Sequence, residues 1–355
     1  MTERPLKWIE IDLSAMAHNL RWVRGQLGPG VRMMAVVKAD AYGHGAERVS
    51  RLAVSHGADS LGVLSIEEAL RLRGCGIRHP IVLLCPPLPE DAATAARAGL
   101  DVTVDSLDLA RALSKAAGKP VKVHVDLDYG LCRWGLPPER LDAFLRGLSR
   151  LPRLVAAGVS AHLDYVPGKN AVEAEEKLLD FKRRAGRAKT LFPGIVRHCA
   201  NSSILLDFPH WQMDMVRVGN LLYGINPTAK ETALRSPWTL YARIVTLRDI
   251  PKGRSIGYAS EYLAPRHLRV ATLPVGYADG LTMEPAERFI GLGRAFRYYG
   301  WLKGKQVPFV GRCGLGHVLV DVSAVRGARL GDAVRLPIRR TAASPRMPRV
   351  YSSPG

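Results

Sequence analysis

The sequence predicts an α/β protein, with an N-terminal (β/α)8 TIM-type barrel followed by a C-terminal all-β domain. Three features carry this. Short apolar runs alternate with amphipathic helical stretches as about eight βα units over roughly 220 residues. One run, Met33–Val37, is apolar without interruption, as a strand covered on both faces requires. After about Pro227 the helical stretches stop, and short strands separated by Gly and Pro take over. The barrel is placed at residues 8–230 and the β-domain at 231–355, with residues 1–10 able to pair with the latter. A doubly wound sheet is the alternative, but no Gly-x-Gly-x-x-Gly run follows the first strand.

From Trp8 to Leu13, Ile9, Ile11 and Leu13 alternate with Glu10 and Asp12, a strand pattern. Ser14 is read as the cap of a helix whose Ala17, Leu20, Val23 and Leu27 share a face, stopped at Gly28-Pro29-Gly30. A helix is expected from about Gly45 to His56 and a strand at Leu61–Leu64, after which Ser65 and Glu68 form a capping box. Further strands are expected at Ile81–Leu84, Val102–Val104, Val121–Leu127, Leu154–Ser160, Ile195–His198 and Met213–Val218. Helices fall between them at Glu90–Ala98, Leu107–Ala117, Glu139–Leu148 and Ala171–Leu191. In the second region Leu240, Ala242, Ile244 and Thr246 alternate, and strands follow around Arg269–Val275, Val307–Val310, Val318–Val322 and Ala333–Leu336.

Composition narrows the function classes. At 355 residues, 47% hydrophobic and 23% charged, the chain can bury sizeable cores and is not disordered. No stretch approaches ~20 uncharged apolar residues and the start lacks a signal-like apolar segment, so the expected location is the cytoplasm. The five cysteines are scattered without a Cys-x-x-Cys pair, so no disulfide framework and no metal site is expected. The net charge of +19 raises nucleic-acid binding, but the positives are spread along the chain. They cluster only in the tail, from Arg326 to Arg349, and no recognition motif accompanies them; a solvated basic surface is the expectation.

In a barrel the reactive groups gather at the C-terminal ends of strands. Reading those ends gives Lys38, Arg133 after Asp126–Asp128, His162, Asn201-Ser202, and Arg217 with Gly219. An ammonium at the end of a buried apolar strand is costly unless it has a task. A lysine with a depressed pKa can form a Schiff base with an aldehyde, although a side chain snorkelling from the strand end reads equally well.

The surrounding residues decide between the two. Ala35-Val36-Val37-Lys38-Ala39-Asp40-Ala41-Tyr42-Gly43-His44-Gly45 resembles the pyridoxal-phosphate lysine motif of the alanine racemase family. A second match is Ser255-Ile256-Gly257-Tyr258, followed by Val270 to Gly280. The resemblance runs from about Trp8 to Val322 and implies a fold-type III pyridoxal-phosphate enzyme, a homodimeric amino-acid racemase acting by default on alanine. It makes Lys38 the Schiff-base lysine and one acid/base group, with Tyr258 the other, reaching the opposite face of the cofactor from the partner subunit in a head-to-tail dimer. Two such groups suit racemisation, which removes a proton from one face and returns one to the other. Arg217 matches the donor to the pyridine nitrogen, and a guanidinium, which can only donate, leaves that nitrogen unprotonated. Arg133 matches the donor to the phenolic oxygen and a substrate contact, and His162 flanks the ring. Tyr42, Ser202 and the Gly219 and Asn220 amides match the phosphate cup. Leu315 and Tyr277 match substrate contacts.

The sequence also departs from the family. Asp126 stands where relatives often carry a carbamylated lysine bracing the arginine that Arg133 matches, and a carboxylate can serve as that partner. Leu163-Asp164-Tyr165-Val166-Pro167-Gly168 lacks the usual acidic corridor residue, and Leu315-Gly316 replaces Met-Asp. The C-terminal region is short, so Tyr351 matches a terminal position, and an insertion around Glu284–Lys303 brings Tyr298, Tyr299 and Trp301. Cofactor chemistry is thus expected intact and substrate contacts altered, toward serine or a larger or anionic amino acid. A fold-type III decarboxylase is a second enzyme reading, which Arg217 opposes. A non-catalytic cofactor carrier is a different class, opposed by the β-domain and Tyr258.

Overall fold

The computed structural model describes residues 5–260, 262–281, 298–337 and 343–352. The chain divides into two units, residues 14–236 and residues 1–13 with 237–355. The initial strand β1 (Lys7–Asp12) belongs to the second unit and is not a barrel strand, contrary to the expected start of the barrel at residue 8. Its alternation from Ile9 onward is what distinguishes it: Ile9 and Ile11 are buried while Glu10 and Asp12 are not, and Trp8, on the other face, is covered by Tyr241.

The first unit is built on eight parallel strands: β2 (Arg32–Val36), β3 (Ser60–Val63), β4 (Ile81–Leu83), β5 (Asp101–Val104), β6 (Val121–Leu127), β7 (Leu154–Ala161), β8 (Val196–His198) and β9 (Met215–Val218). They pair in chain order, and β2 also pairs with β9. Two backbone bonds, Asp214 N–H to the Arg197 carbonyl at 3.2 Å and Arg217 N–H to the Ala200 carbonyl at 2.9 Å, tie the β8 region to the β9 region and nearly close the barrel. Strand β2 is apolar on both faces because Met33, Met34 and Ala35 are enclosed by barrel interior on one side and helices on the other. The outer helices bury one stripe each, as Leu109, Ala110 and Leu113 do in Leu107–Ala116.

Local readings differ in instructive ways. The first helix spans Leu13–Gly25, so Ser14 lies within it and is not its cap. The helices expected at Glu90 and Glu139 each begin with a 3-10 turn, Pro89–Asp91 and Pro138–Arg140, because proline presets the φ of a first turn. Only half of the capping box forms. Ser65 Oγ accepts the Glu68 N–H at 3.3 Å, but the Glu68 carboxylate turns to the Leu64 N–H at 2.8 Å and the Ala39 N–H at 2.5 Å.

Among the described residues the second unit holds β1 and ten further strands of varied length. These are β10 (Trp238–Arg243), β11 (Thr246–Ile250), β12 (Ser255–Ile256), β13 (Tyr262–Leu263), β14 (Leu268–Leu273), β15 (Tyr299–Leu302), β16 (Lys305–Val310), β17 (Val318–Asp321) and β18 (Ala333–Leu336). The last is β19, at Arg349–Ser352. One sheet has the order β11-β14-β17-β16-β15-β18-β10-β1-β19, and β12 and β13 form a separate ribbon. The alternation from Leu240 to Thr246 is therefore two strands far apart in that sheet. Trp8 stacks on Tyr241 at 5.2 Å where β1 and β10 pair, and β19 joins β1 in parallel. Most of the insertion around 284–303 lies outside the described residues; its described end is β15, where the Arg335 guanidinium sits 4.2 Å from the Trp301 ring. Among the described residues no helix is long and apolar enough to cross a membrane, and no group of His, Cys, Asp and Glu is placed to hold a metal ion.

Candidate active site

At the C-terminal ends of the barrel strands lies an open cleft of about 220 Å³. Lys38, Tyr42, Arg133, His162, Ser202, Arg217, Gly219 and Asn220 all line it. Lys38 follows directly on β2, and the chain then makes a left-handed turn: Ala39, Asp40, Ala41 and Tyr42 have φ of 51°, 53°, 54° and 55°. Four consecutive non-glycine residues in this region cost ~1–2 kcal/mol each. The turn is held by the Glu68 carboxylate on the Ala39 N–H and by Asp40 Oδ1, which accepts the Ala46 N–H at 2.8 Å. Strain maintained by several such contacts is typical of a functional turn. Here it leaves Lys38 at the strand end and turns the Tyr42 ring onto Tyr223, at 4.6 Å between centroids. Tyr223 is in turn fixed by donating its hydroxyl to the Val36 carbonyl at 2.8 Å.

Burial lowers the Lys38 pKa, the Arg133 cation lowers it further, and the Glu68 carboxylate partly opposes them. The amine is thereby moved toward the neutral, nucleophilic form. Burial also holds the Tyr42 phenol protonated, as a donor. Gly219 meets a steric demand, since a Cβ there would stand 2.6 Å from the Tyr42 hydroxyl. The Gly219 N–H reaches Ser202 Oγ at 3.3 Å, and Asn201 caps the following helical turn by accepting the Ser203 and Ile204 N–H groups. Hydroxyls and amides converging on a space that a side chain would fill fit a phosphate group.

Arg217 is buried at the floor of the cleft. It donates to the Ala161 carbonyl at 2.6 Å and to both the carbonyl and Nδ1 of His198, the latter at 2.9 Å. His162 is pushed down to about 3, first by burial and then by Arg217, Arg133 and Lys38, so its ring is neutral and able to pack against an apolar face. The expected Arg133–Asp126 brace takes another form. Asp126 is buried and accepts from the Ser160 hydroxyl, and burial raises its pKa despite the pull of Arg217 and Arg133. The Arg133 guanidinium instead lies 4.1 Å from the Trp134 ring centroid, a cation–π contact that leaves its N–H groups available.

The remaining predicted residues lie in the β-domain. Tyr258, Tyr277 and Leu315 are 59%, 57% and 59% exposed. Tyr258 projects from a turn in which Gly257, Ala259 and Ser260 all have positive φ, and its ring lies 6.1 Å from that of His317. Backbone bonds from Tyr277 to Gly314 and from Ala278 to Leu315 hold the neighbouring loops together. Sequence reasoning missed Glu68, Trp134, His124 and His198. The two histidines sit on strands expected from the apolar pattern, and a histidine inside such a run was the available signal.

The fold defines the class: a (β/α)8 barrel enzyme with an appended β-domain and a lysine of lowered pKa at a strand end. Residues 11–227 match the alanine racemase N-terminal domain and residues 238–349 the alanine racemase C-terminal domain. The alanine racemase of Desulfovibrio desulfuricans is 37% identical over 94% of this chain and 89% of its own length. That of Syntrophobacter fumaroxidans is 36% identical over 93% and 87%. The alanine racemase structure from Clostridium difficile 630 superposes with a TM-score of 0.89 at 26% identity, covering 99% of this chain and 97% of that one. The chain belongs to the alanine racemase family and is an amino-acid racemase, an isomerase of a pyridoxal-phosphate-dependent family.

Proposed function

We propose that this enzyme interconverts the L and D forms of alanine or a related small amino acid in the cytoplasm, using pyridoxal 5'-phosphate and two acid/base groups, Lys38 and Tyr258. The observation that carries this reading is the cleft itself. A lysine of lowered pKa, a phosphate-shaped cup and a buried donor-only arginine line one space of cofactor size. When bound, the cofactor supplies an aldehyde and a conjugated ring that acidify the α-proton of an amino acid.

Each residue has a stated part. Lys38 would hold the cofactor's aldehyde carbon through its amine and would take or return the α-proton on one face. Tyr42, Ser202 and the Gly219 and Asn220 amides would hold the phosphate. Arg217 would donate to the ring nitrogen, and as a donor-only group would give it no proton to keep, which limits electron withdrawal and so guards against transamination. Neutral His162 would pack beside the ring. Arg133 would donate to the phenolic oxygen and to the substrate carboxylate. Tyr258 would exchange the proton on the other face. Its exposure in the isolated chain supports a head-to-tail homodimer in which each β-domain completes the partner's site, with Tyr277 and the Leu315 amide contacting substrate. The donor-only Arg217 disfavours a decarboxylase, which gains from a protonated ring nitrogen. The test is incubation of the purified enzyme and pyridoxal phosphate with each L-amino acid, followed by chiral chromatography. Accumulation of the D form of alanine or another small amino acid is expected, and its absence for every substrate would overturn the reading.

A further inference from the structure

Behind Arg217 the barrel holds two buried histidines to which the proposed reaction gives no part. His198 ends β8 and His124 lies within β6. Nδ1 of His124 is 2.8 Å from Nε2 of His198, and Nδ1 of His198 is 2.9 Å from the Arg217 guanidinium. Beyond His124, its buried Nε2 has no hydrogen-bond partner among the described residues and faces the Asp101 carboxylate at 3.9 Å, a distance for electrostatic attraction and not for a hydrogen bond. Asp101 is the first residue of β5, so it lies at the barrel end opposite the cleft, where it lines a second cavity with His124 and Lys122. The backbone makes room for this chain of groups. The β6–β7 register slips between Val123 and His124, and a Cβ at Gly158 would collide with His124 Nδ1.

The protons in this chain can be assigned by elimination. A guanidinium has only donors, so Nδ1 of His198 must accept. Burial and the Arg217 cation keep His198 neutral, which leaves its single proton on Nε2, directed at His124 Nδ1. With Nδ1 accepting, the one ring nitrogen of His124 left to carry a proton is Nε2, toward Asp101. Each tautomer fixes the next, and at the far end the Asp101 carboxylate favours this order.

We propose that Asp101 is a positioning residue for Arg217. By drawing the His124 proton to Nε2 it fixes both imidazole tautomers and keeps a lone pair against the guanidinium to which the proposed function gives the cofactor's ring nitrogen. Without that carboxylate, His124 can carry its proton on Nδ1. His198 would then have to accept at Nε2 and present Nδ1–H to Arg217, donor against donor, and the guanidinium would lose one of its acceptors.

The inference rests on Arg217 meeting the cofactor ring, but its tautomer half is measurable without the cofactor. The experiment is ¹⁵N-histidine NMR on the full chain with and without pyridoxal phosphate, paired with the cofactor dissociation constant, for the parent, Asp101→Leu, Asp101→Ala and Asp101→Asn. The parent should show His198 and His124 both unprotonated at Nδ1 and protonated at Nε2. Asp101→Leu, or Asp101→Ala if the leucine variant does not fold, should mix the His124 tautomers and weaken cofactor binding ~10-fold, the scale of one lost hydrogen bond. Asp101→Asn, which keeps an acceptor, should restore most of both. A proton on His198 Nδ1 in the parent, tautomers indifferent to Asp101, or shifted tautomers with unchanged cofactor affinity would each overturn the proposal. A parent that binds no pyridoxal phosphate yet shows the tautomer order and its loss in the variants would instead overturn the reading of the cleft.

Discussion

The barrel cleft and the exposed face of the β-domain differ in how much of their chemistry each satisfies. In the cleft, Arg217 has three kinds of acceptor, Tyr42 is fixed through Tyr223, and Ser202 meets the Gly219 amide. On the β-domain, Tyr258, Tyr277 and Leu315 stand more than half exposed on loops. Buried polar groups are worth keeping only when they are paired, whereas large exposed side chains gathered on loops suit recognition of something outside the unit. The difference teaches that the barrel satisfies its own polar groups within one unit, while the β-domain leaves large side chains on its surface, the arrangement that the proposed sharing of sites between subunits requires.

Removing the centre of the platform should have the largest effect. Lys38→Ala should lose the lysine-linked visible absorbance and lower racemisation by ~10⁴-fold, at the upper end of what a positioned acid/base group contributes. Retention of that absorbance without added amine would show that another group attaches the cofactor.

Next in size is the exposed half. Tyr258→Phe should lower racemisation by ~10²–10⁴-fold with cofactor affinity unchanged, and solvent deuterium should still enter one enantiomer but not the other. Mixing Tyr258→Phe with Lys38→Ala should recover about a quarter of parental activity. Half the dimers formed at random are hybrids, and each carries one intact site of two. Equal residual exchange from both enantiomers argues against two bases, and no recovery after demonstrated subunit exchange argues against shared sites.

Gly219→Ala asks how tightly the platform is built. The added methyl meets the Tyr42 hydroxyl, so overpacking should cost ~1–3 kcal/mol, read as weaker cofactor binding, lower stability, or both. Titration with pyridoxal phosphate and a melting curve separate the two, and no change in either would mean the cup is looser than its geometry.

Acid probes the same packing through His162. Its folded pKa of about 3 lies below the ~6.5 of an unfolded histidine, so between those values the unfolded chain binds more protons. Its share of the stability is present in full above ~6.5 and is lost as pH falls toward 3. His162→Gln should therefore flatten the pH dependence of urea unfolding by up to ~1 kcal/mol per pH unit in that window. Identical slopes for the two proteins would place the acid sensitivity elsewhere.

The smallest effect concerns the loops that the proposed function turns toward substrate. A Cβ at position 316 would meet nothing within 4 Å, so there is open space beside Leu315. Pocket differences of a methylene or two amount to ~1–3 kcal/mol. Alanine should be accepted with a kcat/KM advantage below ~100-fold over at least one of serine, glutamate and lysine. A larger preference over all three would return the site to a strict alanine pocket.

The order of elements was legible because period-2 and period-3.6 patterns are local properties. The uninterrupted apolar run before Lys38 and the alternation around Trp8 both registered correctly as strands. Local pattern left both a barrel start at residue 8 and a pairing of residues 1–10 with the β-domain open, since membership in a sheet depends on which faces are covered by residues hundreds of positions away. The same limit hid the split of Leu240–Thr246 into two strands and the diversion of Glu68 from its own helix to the turn after Lys38.

By itself the sequence determined which residue types are available at each strand end, and with them the family, because those motifs are contiguous in the chain. Only the tertiary structure decided which of them are paired, and to what. Arg133 lies on the Trp134 face with Asp126 acting on it through charge alone, and two histidines far apart in the chain sit in line behind Arg217. Side-chain pairing depends on distance and direction in space, and burial then fixes the protonation of each group by withholding water from its charged form.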